Sequence, residues 1–86
     1  MWYTYILESQ KDNKLYIGST NNLERRINQH NSGEVLSTKA RRPFTLLVYV
    51  ANKSERIARQ LERYFKSGSG KAFVYKRLLV RLSSEA

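Results

Sequence analysis

The chain has 86 residues, with 16 Lys and Arg against 7 Asp and Glu, a formal charge of +9, and room for one small domain (residues 1–86) with a modest core. It has no cysteine and one histidine, which excludes a disulfide framework, a Cys-type zinc site and an HExxH metal motif. No apolar run approaches the ~18 residues of a membrane span and no leader is visible after Met1, so a cytoplasmic protein with a polyanionic partner, nucleic acid first, is expected.

Residues 2–8 are rich in aromatic and β-branched side chains and read as a strand. Trp2, Thr4 and Ile6 fall on one face, and Tyr3, Tyr5 and Leu7 on the other. A polar turn at 9–13 leads into a returning strand at 15–18, which completes a hairpin. Asn21 and Glu24 are spaced as a capping box, placing a helix start near Asn22. The helix runs to His30, and Gly33 is placed to take the left-handed cap. Leu23, Arg26, Ile27 and His30 lie at i, i+3, i+4 and i+7 and share the inward face. An arginine and the chain's single histidine on a core stripe require partners, because an unpaired polar group is costly to bury.

Residues 34–43 read as a loop whose Lys39, Arg41 and Arg42 either contact phosphates or form a solvated basic surface. The continuous apolar run at 46–50 places a third strand, 44–51, at the centre of the sheet. Ser54 caps a helix over 55–66 with Ile57, Leu61 and Tyr64 or Phe65 as its stripe. Glu62 sits on the edge of that stripe, level with Ala58 and Phe65. Residues 67–70 read as a break. A last helix is expected over 71–82 with Ala72, Tyr75, Leu78, Leu79 and Leu82 inward, followed by a fraying tail at 83–86. The fold expected is α/β: a small three-stranded, mainly antiparallel sheet flanked by helices, in the order β-β-α-β-α-α.

Tyr16-Ile17-Gly18 lies eleven residues beyond Tyr5. This pairing resembles the two tripeptides of the GIY-YIG nuclease family, with Tyr3-Thr4-Tyr5 in place of the first. Arg26, ten residues after Tyr16, and His30, one turn later, match the arginine and the His or Tyr of that family's helix. The stretch 58–66 is similar to its second helix, whose glutamate holds the metal; Ser19 stands where some members carry a lysine. The likeness is to small standalone members of the UPF0213 type and to the N-terminal domain found in excinuclease ABC. It implies a metal-dependent DNA endonuclease, acting in DNA repair or processing with weak intrinsic sequence specificity. It also implies one Mg²⁺ or Mn²⁺ ion, DNA as substrate with RNA an open alternative, and scope for a protein partner that supplies specificity.

Hydrolysing a phosphodiester requires deprotonation of a water, stabilisation of phosphoryl charge and compensation of the leaving oxygen. Arg26 can hold two phosphoryl oxygens in its fork at any working pH. Glu62 is the acid placed mid-helix beside apolar residues, where it either ligates the metal or pairs with Arg59, Arg63 or Lys66. Tyr5 and Tyr16, on neighbouring strands, supply a phenol that a cation must shift before it can act as base, and either could be that base. His30 relays a proton, contacts the phosphate or interacts with the helix dipole. Arg25 points outward and joins Lys39, Arg41 and Arg42 as expected nucleic-acid contacts. The alternative reading is a non-catalytic nucleic-acid-binding module on the same fold.

Overall fold

Alternation in the first strand divides the interior into two layers. The computed structural model describes residues 1–79, in which β1 (Trp2–Ser9) pairs antiparallel with β2 (Leu15–Thr20) on one side and β3 (Phe44–Asn52) on the other. Tyr5 and Leu7 point to one face of the sheet, where they pack with Phe44, Leu46, Leu23 and Ile27. Ile6 points to the opposite face, against Ile17, Phe65 and Val74. Helix α1 (Leu23–Ser32) covers the first face; α2 (Glu55–Lys66) and α3 (Gly68–Phe73) cover the second. Each fully buried Ile or Leu contributes about 1.5–3 kcal/mol.

The strand order is β2-β1-β3, so β3 lies at an edge and the N-terminal strand is central. The apolar run at 46–50 belongs to an edge strand that is partly covered on both faces and carries a bulge. Ile6 pairs with Val48 and Leu7 with Leu46, so Leu47 is an extra residue at a bulge that breaks the alternation. Val48 and Val50 face one core, Leu46 the other, and Tyr49 is half exposed.

Helix α1 begins one residue later than the expected capping box. Asn22, not Asn21, is the cap, and its Oδ1 accepts the Arg25 N–H at 3.0 Å. Glu24 then sits in the first turn, where its charge complements the helix dipole. Gly33 closes the helix in the left-handed region at φ +86°, with its N–H donating to the His30 carbonyl. The segment expected as plain loop contains a 3₁₀ helix, Leu36–Arg41.

The end of the chain departs further from expectation. Ser67 is a cap, not part of a break: its Oγ accepts the Gly70 N–H at 3.1 Å and starts α3 three residues early. Gly70 is buried because α3 folds back against the last turn of α2. The earlier start rotates the inward face. Val74 is buried, whereas Ala72 and Tyr75 are exposed; Leu78 and Leu79 are half-buried as expected. The chain continues as a π-turn, Val74–Leu78, closed by Leu79 N–H donating to the Val74 carbonyl. Leu82 and the tail 83–86 lie outside the described residues.

Candidate active site

Tyr5 projects from the central strand directly opposite Gly18 of β2. A Cβ at Gly18 would lie 2.5 Å from the Tyr5 hydroxyl oxygen, so the glycine lets the phenol lie flat across β2. The hydroxyl reaches His30 Nε2 at 3.0 Å. His30 has no solvent exposure and is enclosed by the rings of Tyr16, Phe44 and Tyr5 at centroid distances of 4.9, 5.8 and 5.9 Å.

The other ring nitrogen, Nδ1, lies 2.8 Å from the Thr38 hydroxyl in the 3₁₀ helix. Thr38 can donate to the Val35 carbonyl at 3.4 Å and accept from Nδ1–H. That pattern leaves Nε2 as acceptor for the Tyr5 O–H. Burial, reinforced by the nearby Arg26 charge, pushes the His30 pKa down to about 4. The imidazole is therefore neutral at neutral pH, and the helix C-terminus does not reverse this. Folded protein holds this proton less tightly than unfolded chain, whose histidine titrates near 6.5. His30 thus favours folding fully above pH ~6.5, by about 3 kcal/mol, and the contribution is lost as pH falls toward 4. Because the histidine is unique, its NMR titration is unambiguous: a midpoint near 4 is expected, and one near 6.5 would contradict the buried network. Thr38→Val should leave Nδ1–H unpaired, cost about 1–3 kcal/mol in a thermal melt and shift the ¹⁵N tautomer signature.

Arg26 is half-buried, with Nη1 donating to Gln29 Oε1 at 3.1 Å and the guanidinium beside the Tyr5 oxygen. Burial raises the Tyr5 pKa, and the charges of Tyr16 and Glu62 add to this; Arg26, by hydrogen bond and by charge, opposes the rise without cancelling it. Tyr5 consequently keeps its proton at neutral pH.

Glu62 approaches from the other layer. Ser19, adjacent to Gly18, donates to its Oε1 at 2.7 Å, and Lys66 Nζ pairs with Oε2 at 2.9 Å. Burial would raise its pKa. The hydrogen bonds from Lys66 and Ser19, with the Lys66 and Arg59 charges, outweigh that and hold the carboxyl below its ordinary value. Ser19 is thus the residue through which the second layer reaches the first.

The basic side chains of the expected loop are not part of this cluster. Arg41 is committed to structure: its Nε binds Asp12 Oδ2 at 2.9 Å, its Nη2 donates to the Lys14 and Leu15 carbonyls, and its guanidinium covers Phe44. The Arg41 bond, first among several, lowers the Asp12 pKa to about 2. Arg42 donates to the Lys39 carbonyl, and Lys39 is exposed. Arg25 is exposed at the start of α1, 3.4 Å from Asn21 Oδ1.

Among the described residues no three His, Cys, Asp or Glu side chains gather as a metal cage. The donor set is one ionised carboxylate, Glu62, beside a hydroxyl. That suits a hard divalent ion that keeps most positions for water and phosphate oxygens, as Mg²⁺ does. A family model described as the GIY-YIG catalytic domain matches residues 1–76. The chain belongs to the GIY-YIG family. UPF0213 proteins are similar to it: one from Bacillus licheniformis is 43% identical over 70 residues, covering 80% of this chain and 71% of that protein. One from Staphylococcus haemolyticus is 47% identical over 64 residues, covering 70% and 76%. The solution NMR structure of the UPF0213 protein BH0048 from Bacillus halodurans shares 36% identity and a TM-score of 0.53, covering 86% of this chain and 82% of that one. The three-stranded antiparallel sheet and flanking helices are thus the GIY-YIG architecture. The two strands that carry the named tripeptides are also the strands that bring Tyr5 onto Gly18.

Residue spacing pointed to neither Thr38 nor Ser19. Thr38 lies beyond the end of α1 at Ser32 and is delivered by a 3₁₀ turn. Ser19 is recognisable only after α2 is docked.

Proposed function

We propose that this GIY-YIG domain, residues 1–86 acting as one catalytic unit, is a metal-dependent DNA endonuclease in DNA repair or processing. The observation that carries the reading is convergence at the paired strands: Arg26 from α1 lies beside the Tyr5 oxygen, and Glu62 from α2 accepts from Ser19, next to the Gly18 across which that phenol lies. A guanidinium and a carboxylate brought to one end of the hairpin provide a place for phosphate oxygens and a place for a cation. Arg26 takes the phosphoryl oxygens in its fork. Glu62 would hold Mg²⁺ or Mn²⁺, which when bound supplies Lewis acidity toward phosphate and leaving group.

Tyr16 is half-buried whereas Tyr5 is 1% exposed, so Tyr16 is the phenol with access to water. Tyr16 would act as base only in its phenolate form, in which it would accept the proton of the attacking water, directly or through one further water. Tyr5, fixed by its bond to His30 Nε2, orients the site.

One observation favours the second reading, a non-catalytic nucleic-acid-binding module: Lys66 already occupies the Glu62 carboxylate. One experiment separates the two. Plasmid, single-stranded, branched and RNA substrates are incubated with Mn²⁺ or Mg²⁺ and with EDTA. Metal-dependent cutting of DNA supports the nuclease; salt-sensitive binding with no cutting of any substrate supports the module. Weak sequence preference is expected, since affinity would come from backbone contacts.

A further inference from the structure

We propose that a polynucleotide backbone crosses the domain along a basic track running from Arg25, Arg26 and Arg59 through Ser19 and Glu62 to Lys14, Lys66 and Lys71. The inference rests on the nuclease reading for the role of its midpoint, but it concerns binding and can stand or fall separately.

Two clefts define the track. The first, about 400 Å³, opens between the end of β2 and the starts of α1 and α2; Arg25, Arg26 and Arg59 line it, with Ser19 on its floor. The second, about 430 Å³, opens between β2 and the α2–α3 corner; Lys14, Lys66 and Lys71 line it. Among the described residues, no carboxylate lines either one. A third cleft of similar size, on the outer side of α1, sets Glu24 and Glu34 against Arg25 and so suits a polyanion less well.

The two basic clefts meet at a single chain of contacts. Ser19 belongs to the first and donates to Glu62; Lys66 belongs to the second and pairs with the same carboxylate. A strand laid from one cleft to the other would pass three guanidinium groups, then the Glu62 carboxylate, then three ammonium groups. Arg59 retains donors for this purpose, since Glu55 takes its Nε and the guanidinium lies over Trp2. The track omits the 39–42 loop, whose Arg41 is tied to Asp12.

The test is fluorescence anisotropy of labelled single-stranded and duplex 20-mers in EDTA, over a range of salt. Each basic residue that neutralises a phosphate contributes about 0.7–0.9 to the slope of log K against log salt. Arg59→Ala and Lys71→Ala should each weaken binding several-fold at low salt and reduce the slope by about that amount. The double variant should lose about twice as much, and Lys39→Ala with Arg42→Ala should change little. The proposal is overturned if the loop variants carry the slope, if the two track variants leave it unchanged, or if wild type binds neither probe. Circular dichroism of each variant excludes unfolding as the cause. Cutting with an unchanged slope in the track variants would sink the track alone. A track-dependent slope without cutting would sink the nuclease alone.

Discussion

Glu62→Gln is expected to abolish metal-dependent cleavage while leaving DNA affinity equal to wild type or tighter. Glutamine matches the shape of glutamate and can still accept from Ser19, so the local packing is retained. What it lacks is the charge that a hard divalent ion requires of its one protein carboxylate. A fall in single-turnover rate of about 10³ or more is expected, the scale of losing a principal electrostatic stabiliser. Removing the one negative charge between two basic clefts can only help a polyanion bind. The lost Lys66 pair is partly exposed, an i,i+4 helix pair contributing about 1 kcal/mol or less, so stability should be little changed. Arg26→Ala should give a loss of rate on the same scale, with weaker binding as well. If cleavage survives in both variants at the wild-type rate, a contaminating nuclease produced it, and the proposed site has no support.

Gly70→Ala should be the most damaging small substitution for folding. A Cβ at that position would run into the carbonyl carbon and oxygen of Tyr64 and come within 2.9 Å of the Phe65 Cα. All three obstacles are backbone, so no rotamer change relieves them. Helix α3 must move away from α2, and Val74 and the Phe73 ring stacked on Phe65 move with it. The expected loss is about 3 kcal/mol or more, a large share of the 5–15 kcal/mol available to a domain. In a chain of this size that lowers the melting temperature by roughly 12 °C or more. Gly68→Ala is the control. Nothing lies within 4 Å of its Cβ, and alanine favours the helix by up to about 1 kcal/mol. Equal melting temperatures for the two variants would disprove the close approach of α2 and α3.

Periodic and capping signals made most of the fold legible. Alternation in β1 placed Tyr5 and Ile6 in opposite cores, and Ser54 and Gly33 marked helix ends where they were expected. Strand order was not legible, because an edge strand with a bulge at Leu47 and apolar contacts on both faces gives the same apolar run as a central strand. The Ser67 cap was hidden because a Ser-Gly-Ser-Gly sequence usually ends structure, and here Gly70 permits a close backbone contact. At the site, Arg26 and His30 stood out as polar groups on an apolar stripe. The structure supplies the partners that stripe demanded: Gln29 and the Tyr5 oxygen for Arg26, Tyr5 and Thr38 for His30. Arg41 carried the same sequence signal as any loop cation. Only its distance to Asp12 distinguishes a structural tie from a phosphate contact.

The position of β1, first in the chain and central in the sheet, also sets a timetable for synthesis. Its hairpin with β2 is local and can close within microseconds of both strands being free. Its other neighbour, β3, begins 35 residues after β1 ends (44 − 9 = 35), and Glu62 comes later still. At about 5–20 residues per second, a growing chain spends a few seconds with one edge of β1 unpaired. During that interval Tyr5, Tyr16, Arg26 and His30 have all been made, but α2 has not. A nascent chain therefore lacks the proposed metal-holding acid until α2 is made, and on the proposed mechanism a ribosome stalled before α2 would release a fragment unable to cut.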